Sequence, residues 1–215
     1  MQAFLVIVKT LSIGALIAIQ VALGAFAIAV SVGLLLALAR TFVRKHAVQV
    51  TIAAWSEWMR NVPALAHLFL LYFGLASVGV RLSPMLAACL GLGLVGAAVL
   101  CDVFTAGLRS LPIGQREAAL SVGLTPVQVL RFVLLPQMLR VTLPSLGNYA
   151  SQLVKDTSIA SAIAVPEIMF YARNLVTSTF QTTAIYVGAM LLYAAIVMPV
   201  TWMFARVERR FEVAR

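Results

Sequence analysis

The sequence predicts an all-α integral membrane protein of about five transmembrane helices. Its N-terminus is expected outside the cytoplasm and its C-terminus inside. Three observations support this. The 215 residues are 62% hydrophobic and 11% charged, with mean hydropathy +1.02, whereas a soluble domain carries about 25% charged residues. Two stretches, 10–39 and 174–205, hold no charged residue at all. The basic residues are also unevenly spread. Arg40, Arg44, Lys45, Arg109, Arg116, Arg131, Arg140, Arg206, Arg209, Arg210 and Arg215 fall on one side of the predicted spans, and only Lys9, Arg81 and Arg173 fall on the other. The positive-inside rule makes the first set cytoplasmic. The net charge of +9 would suggest nucleic acid in a soluble protein. Here Arg-rich cytoplasmic loops account for it, and no nucleic-acid partner is expected.

The elements follow in order. Residues 10–39, at 1.5 Å per residue, reach roughly 45 Å, more than the ~30 Å hydrocarbon core requires. They form span one, with no basic n-region and cleavage site of a signal peptide framing them. Span two covers 47–75 and contains Glu57 and Arg60, an i,i+3 pair suited to a helix ion pair, with Pro63 following. Gly79, Arg81, Ser83 and Pro84 mark a short outer loop. Span three runs from about 84 to 106, with Gly91, Gly93 and Gly96 permitting close helix packing and Asp102 near its end. Span four covers about 137–165, residues 167–182 form an outer loop, and span five lies within 174–205. Cys89 and Cys101 do not share a helical face and no His or Cys cluster joins them, so neither a disulfide framework nor a metal site is expected.

Between spans three and four lies the longest polar interruption, 110–136. Pro112 suits the first turn of a helix, residues 113–122 are good helix formers, and Gly123 sits where a left-handed residue would end it. Thr125, Pro126 and Gln128 then spell an N-cap, a proline at N1 and a capping-box partner. The stretch reads as two short capped helices joined at Gly123.

Pro112-x-Gly114-Gln115-x-Glu117-Ala118-Ala119, Gly123 and Leu135-Pro136 resemble the EAA loop of ABC-importer permeases. Arg60-Asn61-Val62-Pro63, Leu135-Pro136-Gln137-x-x-Arg140, Pro144-x-x-Gly147-Asn148, Lys155-Asp156-Thr157-Ser158 and Pro166-Glu167 resemble the polar amino acid uptake subfamily. The resemblance covers about residues 12–212. It implies one type I ABC-transporter transmembrane domain over 1–215, with its coupling-helix loop at about 110–136, in a bacterial cytoplasmic (inner) membrane. It also implies an ABC ATPase dimer beneath, holding the ATP and Mg that this chain lacks, a periplasmic solute-binding protein above, and a second permease, identical or sister, alongside in the lipid. Gly114, Gln115, Glu117, Ala118, Ala119 and Gly123 would then form or support the ATPase contact. The sequence departs from the family where Tyr-x-x-Glu and a later Arg are common: Val99, Asp102 and Thr105 stand there, and Asn61 replaces a usual Gly.

A charge at membrane depth costs about 3 kcal/mol or more, which makes polar residues inside spans functional candidates. Asn148, Gln152 and Lys155 recur at helical spacing and could line a polar surface, with Ser151 a further member. Asp156, Thr157 and Ser158 could supply the anion and the donors that a zwitterionic amino acid needs. The alternative is structural: Lys155 and Asp156 pairing across a dimer or capping a broken helix. Asp102 belongs either to the substrate pathway or to a structural pair with Arg109 or Arg140. No P-loop, Gly-x-Ser-x-Gly elbow or His-Glu-x-x-His motif occurs, so no catalytic residue and no nucleotide site is expected in this chain. The leading expectation is an ATP-driven, binding-protein-dependent importer permease for polar amino acids or amino-acid-like solutes. The alternative is a self-sufficient secondary transporter or channel subunit, which would ordinarily show more spans and internal repeats.

Overall fold

A computed structural model describes residues 2–43 and 45–212. Arg44 and Arg215, counted above among the cytoplasmic cations, lie outside the described residues. Every described element is a helix: α1 (Gln2–Phe42), α2 (His46–Asn61), α3 (Ala64–Ser77), α4 (Pro84–Arg109), α5 (Ile113–Ser121), α6 (Pro126–Ile163), α7 (Ile168–Thr179) and α8 (Thr182–Glu212). Four of them, α1, α4, α6 and α8, are long and apolar enough to cross a membrane, and the bent pair α2–α3 makes a fifth crossing if it is counted as one span.

The structure corrects the sequence reading at four places. Span two is not one rod: its halves meet at 102°. Pro63 has no N–H to continue the ladder and forces the residue before it out of the helical region, and Val62 is indeed extended at φ −94, ψ 134. Pro112 is the N-cap residue of α5 and not a member of its first turn. The second helix of the polar stretch is not short but is the first turn of α6. A π-helical segment, Val129–Leu134, carries it past Pro136; the widened turn precedes the ring that would otherwise clash with the turn before it. Lastly, the predicted outer loop 167–182 holds a helix, α7, started by the carboxylate of Glu167, which accepts hydrogen bonds from the N–H groups of Met169 and Phe170 at 2.9 Å each.

The core is built on α1 against α4. A Cβ on Gly33 would stand 2.9 Å from the carbonyl oxygen of Ala97 and 3.0 Å from the Leu100 Cβ, and one on Gly93 would stand 2.8 Å from the Ile28 Cβ. The two backbones meet where side chains are absent, as small-residue packing in lipid requires. Three apolar clusters stack along this seam. Leu100, Phe104, Met138, Val129 and Ala119 form one end, Val21, Leu68, Leu153 and Ile163 the middle, and Leu11, Ile168 and Ile185 the other end.

Gly33→Val is therefore expected to destabilise the bundle by about 2 kcal/mol through overpacking. Gly114→Val, where an added Cβ meets nothing within 4 Å, should stay within about 0.5 kcal/mol. Unfolding midpoints in detergent micelles measure both, and an unshifted midpoint for Gly33→Val contradicts the close α1–α4 contact.

Candidate functional site

The polar stretch folds into a compact double-capped corner. At the end of α5 the Gly123 N–H donates to the Leu120 carbonyl at 3.0 Å and the Leu124 N–H to the Ala119 carbonyl at 3.2 Å, the paired bonds of a Schellman stop. Gly123 makes this turn at φ +87, a conformation that glycine enters freely. Two residues on, α6 opens with a capping box: the Gln128 N–H donates to Thr125 Oγ1 at 3.4 Å, and the Thr125 N–H donates to Gln128 Oε1 at 2.8 Å. Ala119 is buried in the apolar cluster at this end, so it anchors α5 to the bundle. Gly114, Gln115, Glu117, Ala118 and Gly123 are exposed. So are three apolar side chains on the same corner: Ile113 at 74%, Val122 at 78% and Val127 at 73%.

The second group of candidates lies along α6. Its α-helical part ends at Asp156 and continues as a 3₁₀ segment, Thr157–Ile163, that stops at a left-handed Ala164. Asn148, Gln152 and Lys155 are all exposed, and their spacing puts them on one face. Gln152 Nε2 donates to Asp156 Oδ1 at 2.8 Å. Ser151 leaves the stripe, sharing a hydrogen bond with Thr201 at 2.9 Å. Thr157 is fully buried and its hydroxyl donates to the Val154 carbonyl at 2.7 Å, so this hydroxyl satisfies the backbone where the helix tightens. Lys155 and Ser158 line a cavity of about 580 Å³ together with Ser161, Arg173 and Tyr193.

Arg173 and Tyr193 were not singled out from the sequence. Arg173 Nη2 donates to the Ser161 carbonyl at 2.9 Å, holding the 3₁₀ segment. Tyr193 donates to Glu167, which is completely buried. The available signal was Pro166-Glu167 ahead of an apolar run, an acidic N-cap pattern. No spacing rule links it to Tyr193, which lies 26 positions on.

Asp102 is separate from this cavity. Its carboxylate accepts from Arg40 at 2.6 Å and from Arg60 at 2.8 Å, not from Arg109 or Arg140. Arg60 also pairs with Glu57, the expected i,i+3 bridge. Asn61, in the position where glycine is usual, donates from Nδ2 to the Glu57 carbonyl at 2.8 Å and to its carboxylate at 2.9 Å. One carboxylate thus ties the end of α1, the end of α2 and the last turns of α4. The cationic partners come from other helices rather than from Arg109, about two turns along α4.

This arrangement, a helical bundle with a capped external corner and a polar face on one span, is that of a multi-pass membrane protein. Residues 29–213 match the model for binding-protein-dependent transport system inner membrane components, and the chain belongs to that family. Among curated relatives it is similar to the probable amino-acid ABC transporter permease protein YckA of Bacillus subtilis, 41% identical over 110 residues, 51% of this chain and 49% of that one. It is also similar to the probable amino-acid ABC transporter permease protein y4tG of Sinorhizobium fredii, 32% identical over 159 residues, 74% of this chain and 68% of that one. The chain spans about half the length of the first of these relatives. A crystal structure of an amino acid ABC transporter with histidines superposes with a TM-score of 0.84 at 26% identity, over 94% of both chains. The resemblance to polar amino acid importer permeases is thereby supported.

A double-mutant cycle tests the new partner of Asp102. Asp102→Asn and Arg40→Gln should couple by about 1 kcal/mol, a modest value because both side chains are partly exposed. Asp102→Asn and Arg109→Gln should be additive within about 0.5 kcal/mol. Unfolding midpoints of the six proteins provide the measurement, and coupling confined to Arg109 would contradict the clamp.

Proposed function

We propose that this chain is the transmembrane permease subunit of an ATP-driven, binding-protein-dependent importer of polar amino acids or amino-acid-like solutes. It acts as a single type I transmembrane domain in a bacterial inner membrane, N-terminus periplasmic and C-terminus cytoplasmic. The reading is carried by the capped corner at α5–α6, which presents Ile113, Val122 and Val127 to the outside of the bundle. Exposed apolar side chains on an otherwise polar, rigid corner suit docking to another protein. The partner that fits is an ABC ATPase dimer, which holds ATP and Mg; this chain is non-catalytic. Ala119 ties α5 to the bundle, and the capping box makes α6 continuous with the corner, so displacement of the corner moves span four. Exposed Glu117, Ala118, Gly114 and Gln115 form the docking face, and Gly123 sets its angle.

Substrate passes along the face of α6 bearing Asn148, Gln152 and Lys155. A polar stripe facing hydrocarbon is costly, so it faces a water-filled path completed by a second permease, homologous or identical. Lys155 and Asp156 offer a cation and an anion in adjacent positions for a zwitterion. Ser158 supplies a hydroxyl at the cavity, while Thr157 shapes the backbone. A periplasmic solute-binding protein delivers the substrate. Asp102 serves the path indirectly, by holding α1, α2 and α4 together.

Glu117→Lys reverses charge on the docking face while leaving the bundle untouched. The variant should insert normally but lose co-purification with the ATPase by tenfold or more, about 1.4 kcal/mol; undiminished co-purification and transport contradict the assignment. Asp156→Asn should lower substrate uptake, as kcat/KM, by on the order of tenfold with assembly unchanged. Unaltered uptake kinetics remove Asp156 from the path.

A further inference from the structure

A groove between α1, α6 and α8 has no part in the transport reading. Every residue lining it is apolar, among them Phe26 of α1, Leu153 of α6 and Ile196, Pro199 and Met203 of α8, around a volume of about 450 Å³. That is the size of a small-molecule site. Its three walls are membrane-crossing helices, so hydrocarbon rather than water fills it.

One end of the groove has a different chemistry. Ile196, Pro199 and Met203 follow one stripe of α8, and at the same three- and four-residue intervals that stripe continues into Arg206 and Arg210. At 1.5 Å per residue these positions lie roughly 5 and 10 Å along the axis beyond Met203. Both arginines are exposed, as is Arg209, and only Glu208 opposes them between 206 and 210. Arg206 stands over the exposed ring of Trp202, 5.0 Å from guanidinium carbon to ring centroid. Arg140 of α6 stands over Phe211 at 5.4 Å at the same end. Tryptophan and snorkelling arginine together mark the headgroup level of a bilayer.

We propose that this groove is a binding site for one anionic phospholipid, with an acyl chain between α1 and α8 and the phosphate at Arg206 and Arg210. Charge complementarity selects this occupant. A membrane helix of another protein would cover the arginines with hydrocarbon, at the cost of a buried charge. A phospholipid fills the apolar trough and leaves its anionic head beside the guanidinium groups at the water boundary, where each basic residue favours anionic lipid.

The test uses the full chain with Trp55→Phe and Trp58→Phe, which leaves Trp202 as the sole tryptophan. The purified protein in mixed micelles is titrated with phosphatidylglycerol or phosphatidylcholine carrying the same brominated acyl chains, and Trp202 fluorescence is followed. Brominated phosphatidylglycerol should half-quench Trp202 at a mole fraction on the order of tenfold lower than brominated phosphatidylcholine. Arg206→Gln with Arg210→Gln, both at exposed positions, should bring the two lipids to the same mole fraction. Ala195→Phe, which fills the groove from α8, should remove saturable quenching by either lipid while the protein remains monodisperse. Equal half-quenching by both lipids in the parent, or a preference that survives the arginine pair or the groove-filling change, overturns the proposal.

Discussion

A backbone in hydrocarbon must satisfy its own hydrogen bonds, and the architecture follows from that constraint. It makes every described element a helix and makes each interruption of a helix costly unless something covers it. Three of the interruptions are covered in different ways. The break at Val62-Pro63 is packed by Leu68 and Ala64 in the middle apolar cluster. The tightening at Thr157–Ile163 is held by the Thr157 hydroxyl on Val154 and by the Arg173 guanidinium on the Ser161 carbonyl. The turn at Gly123 closes its own carbonyls by Schellman bonds and lies on the polar stretch. Of the candidate residues, Lys155, Asp156, Thr157 and Ser158 sit at or beside the second of these, and Gly123 makes the third.

Charges follow the same logic. Asp102 is stabilised because Arg40 and Arg60 both reach it, and Arg60 is shared with Glu57. The four groups balance in sign and join three helices at one end of the bundle. Asp156 instead has a neutral donor, Gln152, within its own helix. That contrast separates a carboxylate held by cations from two other helices from one held by a neutral donor one turn away.

Much of this was legible from local sequence. The capping box at Thr125 and Gln128 and the left-handed stop at Gly123 depend on a few consecutive residues, and both form as the residue types dictate. Four of the five expected spans are helices long and apolar enough to cross a membrane, and the remaining one is the bent pair α2–α3. What local reading missed was set by distant neighbours or by proline's effect on register. Pro63 breaks a span that hydropathy alone joins, and Pro136 fails to end a helix because a π-helical turn precedes it. Arg40 and Asp102 are 62 positions apart, and no local pattern links them, so the sequence suggests Arg109 or Arg140 instead. The helix Ile168–Thr179 stands where the sequence suggests an outer loop, with Glu167 as its cap. Of the candidate pathway residues, Asn148, Gln152 and Lys155 share an exposed face as their spacing required, while Thr157 turned inward.

In the proposed mechanism, energy enters through the α5–α6 corner from a separate ATPase. Uptake of a radiolabelled polar amino acid into proteoliposomes tests it most directly, with the permease, the cognate binding protein and the ATPase subunits supplied together or with the ATPase withheld. Accumulation against a gradient is expected only when ATPase and ATP are both present. Equal accumulation from the permease without any ATPase would contradict it.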